Sequence, residues 1–146
     1  METYEKKEKH IKSVTSSFQF NEYRINNAEF RLNPEAEMDE YIDLDFNLDT
    51  DFYLNKEEDQ AMVILRCVVF EDYIEKELPF YVNVEIVGNF FLNGDFTNEE
   101  VLNLCKVNAT AVLFPYLRAY ISNLTALAGV PCVILPTINI QKLLED

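Results

Sequence analysis

A chain of 146 residues fits one domain, large enough to bury about 68% of its unfolded surface without disulfide or metal support. Its formal charge of −14 is concentrated: residues 35–59 hold eleven acids against the single base Lys56. Such a field repels phosphates, which excludes nucleic acid and anionic membranes as partners and favours basic partners or positively charged unfolded chains.

The N-terminus is charged throughout, so residues 1–14 read as a mobile tail rather than a signal peptide, with one domain over 15–146. No apolar run approaches the roughly 20 residues of a membrane span. Together these point to a cytoplasmic protein. Alternation begins at Phe18 and Phe20 and continues loosely through Tyr23, Ile25, Phe30 and Leu32 to Asn33-Pro34. The run Tyr41–Leu48 is sharper: Ile42, Leu44, Phe46 and Leu48 alternate with Asp43, Asp45, Asn47 and Asp49, one face apolar and one acidic. A turn at Glu57–Asp59 precedes Ala61–Phe70, a β-branched run expected to be covered on both faces for much of its length. Leu78, Phe80, Val82, Val84 and Ile86 form a further strand, with Gly88 and Gly94 in the loop after it.

The period changes at residue 97. Thr97 and Glu100 form a capping box, and Val101, Leu104, Cys105, Ala111 and Val112 follow at helical spacing. Pro115 predicts a kink or fresh start between Val107 and Leu113; Gly129 and Pro131 end the helix. Residues 132–140 read as extended, with one or two helical turns from Ile140. Strands followed by helices imply an α+β fold, an antiparallel sheet with helices packed on one face and an acidic face toward water.

The residues that chemistry requires are missing from this pattern. His10, the single histidine, lies in the charged tail, and Cys67, Cys105 and Cys132 are scattered in apolar surroundings, as buried reduced thiols would be. The series Asp43, Asp45, Asn47, Asp49, Asp51 begins like a calcium loop, but Leu48 and Leu54 stand where Gly and Glu are needed. With three glycines in total, no phosphate-cradling loop is present. The expectation is a binding protein without catalysis, cofactor or metal. Eleven Phe and eight Tyr suit an apolar surface that holds something.

Leu113-Phe114-Pro115-Tyr116-x-Arg118 followed by Ile121-Ser122, with Asn108 upstream, Gly129-x-Pro131, Leu135-Pro136 and Ile138-Asn139, resembles the signature helix and crossover loop of the SecB family of protein-export chaperones. Ile42–Asp45, Val63–Val68 and Phe80–Leu92 look like its second, third and fourth strands, so the similarity spans about residues 18–140. The resemblance implies a four-stranded antiparallel sheet, a homotetramer built as a dimer of dimers, and an ATP-independent holdase. Such a holdase keeps unfolded preproteins in apolar grooves and passes them to the export ATPase SecA. By position the groove candidates are Phe80, Tyr81, Tyr116, Tyr120, Val133, Ile134 and Leu135. The positions where family members present acids to SecA hold Asn27, Arg31 and Asn83, and the chain stops at Asp146 where the family continues. Some SecB-like proteins instead protect a labile antitoxin, a use that needs the groove without the export contacts. A non-holdase adaptor is the other alternative.

Overall fold

The computed structural model describes residues 17–38 and 41–144; the expected tail, 1–14 with His10, lies outside them. Four strands, β1 (Phe18–Leu32), β2 (Phe46–Leu54), β3 (Gln60–Val69) and β4 (Phe80–Leu92), form an antiparallel sheet in the order β1-β4-β3-β2. A short helix α1 (Asn98–Asn103), a π-turn (Leu104–Asn108) and the long helix α2 (Ala109–Leu127) follow, and α3 (Ile140–Leu143) closes the described chain. The architecture is α+β, with α2 on one face of the sheet. No helix among the described residues is long and apolar enough to cross a membrane.

The loose alternation of β1 has a physical cause. Register shifts between Phe20 and Glu22 and between Ile25 and Asn27 mark bulges at Asn21 and Asn26. Each inserts one residue and reverses the phase of the pleat. Phe18 and Phe20, then Tyr23 and Ile25, then Ala28 and Phe30 therefore all pair with β4 residues of the helix-facing side, from Leu92 to Val82. Without the bulges Glu22 and Arg24 would point at the helix.

The core lies between the sheet and α2. Val63, Leu65, Cys67, Val82, Val84 and Ile86 are fully buried from the strands, and Leu113, Leu117 and Ile121 at four-residue spacing from the helix. Gly88, expected in a loop, sits within β4 because the strand runs on to Leu92. A Cβ there would lie 2.6 Å from Leu113 Cδ2 and 3.0 Å from a Phe90 ring carbon. Glycine is what lets the helix approach this strand.

Several expectations are corrected. The second strand begins at Phe46, so Ile42 and Leu44 lie in a non-regular segment before it. β3 is covered on one face only: Val63, Leu65 and Cys67 are buried, while Met62, Ile64 and Val68 on the other face keep part of their surface. On that outer face the acids of β1 and β4 each stand beside an arginine, Glu22 by Arg24, Glu29 by Arg31 and Glu85 by Arg66, so the excess of acid lies on β2. Across the centre Asp49, Arg66 and Glu85 stand in register, with Arg66 bridging Asp49 at 3.2 Å and Glu85 at 2.5 Å. The Asn26 amide also bonds Glu85, and this contact, then Arg66, holds the Glu85 carboxyl below the usual carboxylate range. Of residues 132–140, expected to be extended, 132–139 form no strand and Ile140 opens α3.

The helical region keeps its capping box, with Glu100 N–H bonding Thr97 Oγ1 at 3.1 Å and Thr97 N–H bonding Glu100 Oε1 at 3.1 Å. The expected break before Pro115 takes the form of the π-turn, after which α2 runs continuously through Pro115. Gly129 adopts φ +83° just past the helix end.

Replacing Gly88 by Val should destabilise the fold by about 2 kcal/mol in denaturant unfolding, the scale of core overpacking. Leu113→Ala in the same chain should recover part of that loss, because the two side chains claim one space.

Candidate functional site

An open groove lies where β3 ends and β4 begins, near the loop that follows α2. Its lining is Tyr41, Ile42, Leu44, Phe70, Phe80, Pro131, Cys132, Val133 and Ile134. Phe70, Phe80 and Val133 are buried and form its floor; Tyr41 (83% exposed) and Ile134 (63% exposed) stand on opposite rims. The volume, about 220 Å³, falls below the roughly 300–1,000 Å³ of sites that enclose small molecules. It suits one or two apolar side chains of a chain passing over it.

Phe70 is aimed into the floor by an unusual backbone. It adopts φ +56°, a left-handed conformation costing a bulky residue about 1–3 kcal/mol. Its N–H bonds the Asp45 carbonyl at 3.0 Å, and its buried ring meets Phe80 edge-on at 5.2 Å between centroids. The same hydrogen bond ties the 41–45 wall to the end of β3.

The opposite wall hangs from α2 by side chains one helical turn apart. Arg118 Nε donates to the Leu135 carbonyl at 2.5 Å, and Ser122 Oγ donates to the Val133 carbonyl at 2.8 Å. Val133 N–H donates to Thr125 Oγ1 at 2.9 Å, and that hydroxyl in turn donates to the Ile121 carbonyl at 2.8 Å. Side chains then alternate along the wall, with Val133 and Leu135 buried and Cys132 and Ile134 exposed. Exposure of Cys132 corrects the expectation of three buried thiols. For Cys67 and Cys105 burial holds the proton on, pushing the thiols up to about 12 and about 11.

The rim is acidic. Asp43 and Asp45 belong to one wall, and Glu71 and Asp72 follow Phe70. Lys76 lies 3.7 Å from Asp45 and 3.9 Å from Asp72, a partial counter-charge only.

Of the residues nominated from sequence, Phe80, Val133 and Ile134 come together here. Leu135 is fully buried in the core, its carbonyl taken by Arg118, and does not line the groove. Tyr81 follows Phe80 in β4 and so points to the opposite face, where it lies 5.4 Å from the Tyr73 ring and under Arg31 at 5.8 Å. Tyr120 packs half-buried against the core. Tyr116 stacks on Tyr23 at 4.3 Å and lies 5.9 Å from Phe20, in a second aromatic patch beside the β1 edge. Among the motif residues, Leu113 and Phe114 are core, Pro115 and Asn108 are exposed, and Arg118 and Ser122 hold the loop.

Phe70, Tyr41, Ile42 and Leu44 escaped the sequence reading. Ile42 and Leu44 continue the alternation of β2, so periodicity absorbed them into the strand; Phe70 ends an apolar run and reads as its last core residue.

Comparison with known proteins agrees with this fold. The family model described as preprotein translocase subunit SecB matches residues 25–146. An uncharacterized protein of Methanocaldococcus jannaschii is 36% identical over 131 residues, 89% of this chain and 84% of its own. A protein-export protein SecB of Anaplasma phagocytophilum is 30% identical over 95 residues, 61% of this chain and 60% of its own. Among solved structures, the SecB-like chaperone of Mycobacterium tuberculosis, in complex with a ChAD peptide from the HigA1 antitoxin, superposes with a TM-score of 0.69. That match has 16% identity and covers 83% of this chain and 90% of that one. Sheet order, signature helix and family match converge: the chain belongs to the SecB family.

Proposed function

We propose that this protein is an ATP-independent holdase that takes unfolded, apolar and basic segments of other chains into the groove between residues 41–44 and 131–134. The observation that supports this most is the groove itself, an apolar floor of Phe70, Phe80 and Val133 left open between two non-regular walls, with Asp43, Asp45, Glu71 and Asp72 close by in the chain. Each client side chain seated on such a floor contributes about 1.5–3 kcal/mol, and several along one client add up without any reading of sequence. The acids favour clients with Lys or Arg near the apolar residues, an attraction that salt weakens. No step in this activity calls for a catalytic group.

Between the two uses considered for such a holdase, the outer sheet face favours protection of an antitoxin-like client over delivery to SecA. Asn27, Arg31 and Asn83 supply no acid, Glu29 is paired with Arg31, and Glu85 is held by Arg66 and Asn26. A contact that needs free carboxylates has few there. Assembly as a dimer of dimers fits the long free edge of β1 and the half-exposed rings of Phe20, Tyr23 and Tyr116 beside it.

Near stoichiometric ratios and without ATP, the protein should suppress aggregation of a slow-folding unfolded client. Ile134→Asp, at a largely exposed position, should leave the unfolding midpoint in place and weaken client binding about tenfold, the equivalent of about 1.4 kcal/mol. Unchanged affinity in that variant, or no suppression by the wild type, sinks the reading. Light scattering should give a mass four times the 17.1 kDa of one chain; a stable monomer contradicts the assembly.

A further inference from the structure

We infer that the groove takes a client by its main chain as well as its side chains: the backbone edge at Cys132 and Ile134 pairs with an extended client segment, as an added strand pairs with a sheet edge. The inference rests on the groove reading above and adds the chemistry that the groove recognises, an extended peptide with free amides.

The wall is extended without being part of the sheet. Val133 and Leu135 are buried while Cys132 and Ile134 are exposed, the alternation of a strand. In such a segment the N–H and C=O of one residue point to one side and those of the next residue to the other. The Val133 N–H and carbonyl and the Leu135 carbonyl all bond side chains of α2. The main-chain groups of Cys132 and Ile134 therefore point away from the helix. None of them has a hydrogen-bond partner among the described residues. One edge engaged and the other open is the arrangement that strand addition uses.

The facing wall has the same character. The ladder between β2 and β3 ends where the Phe70 N–H bonds the Asp45 carbonyl, and the left-handed backbone of Phe70 turns β3 away. Beyond that point residues 41–44 make no main-chain hydrogen bond among the described residues.

An apolar floor alone accepts any exposed apolar side chain. Main-chain pairing adds a selection for the unfolded state, because a folded protein has its own N–H and C=O groups engaged and an unfolded segment does not. Every residue except proline carries both groups, so the selection needs no particular sequence.

The test uses the full chain and two ten-residue peptides of one sequence built from leucine, serine and lysine, the second N-methylated at its six central amides. Methylation removes the donors and keeps the side chains and charge. By fluorescence anisotropy the parent should bind at least tenfold more tightly than the methylated peptide. In amide exchange, the Ile134 N–H should become protected when the parent binds, while the Val133 N–H, already bonded to Thr125, changes little. On the protein side, Ile134→Pro removes a donor that bonds nothing in the fold, and Ile134→Val keeps it. The proline variant should bind the parent peptide about tenfold more weakly than the valine variant; should it fail to fold, the peptide pair and the exchange data still decide. Equal affinity for the two peptides, with the Ile134 amide unprotected, overturns the inference and leaves the groove reading standing. Binding of neither peptide removes both.

Discussion

The structure depends on how closely α2 can lie on β4, and Gly88 sets that distance. A side chain there would run into Leu113, which is fully buried between the two elements. With the helix seated, Leu117 and Ile121 follow it into the core, and Arg118, Ser122 and Thr125 reach the returning loop. A helix standing farther out would leave those hydrogen bonds unmade and the outer wall of the groove without support. One missing Cβ in a strand therefore bears on a groove more than forty residues along the chain.

Elsewhere the groove is held by devices that cost stability locally. Phe70 accepts a left-handed backbone so that its ring can meet Phe80 beneath the wall, and the Asp45 carbonyl fixes that turn. Two bulges in β1 bring three separate sets of apolar side chains onto the face under α2. Charge is distributed unevenly as well: the outer face ties Asp49 and Glu85 to Arg66, while Lys76 meets Asp45 and Asp72.

Much of the fold could be read from the residues. Strand β4 follows the alternation from Phe80 onward, the capping box places the helix start at Thr97, and Gly129 ends α2 as its position suggests. The failures have physical reasons. Periodicity cannot tell where a strand stops pairing and continues as an extended wall, so Ile42 and Leu44 passed as strand residues. Position within the family resemblance does not show which of two adjacent residues faces a site, so it groups Tyr81 and Leu135 with Phe80 and Ile134, although Tyr81 points to the outer face and Leu135 into the core. The left-handed turn at Phe70 had no signal at all, because no glycine or asparagine marks it. Arg118 and Ser122 were visible as motif residues, but their work of holding a loop is a tertiary contact that spacing cannot reveal.

Titrating an unfolded, basic client into the methyl-labelled protein and following side-chain methyl resonances tests the central claim most directly. The groove account predicts that Ile42, Leu44 and Ile134 shift together as client is added, while Met62, Ile64 and Val68 on the outer sheet face stay in place. Shifts confined to the outer face, with Ile134 unmoved, would contradict it.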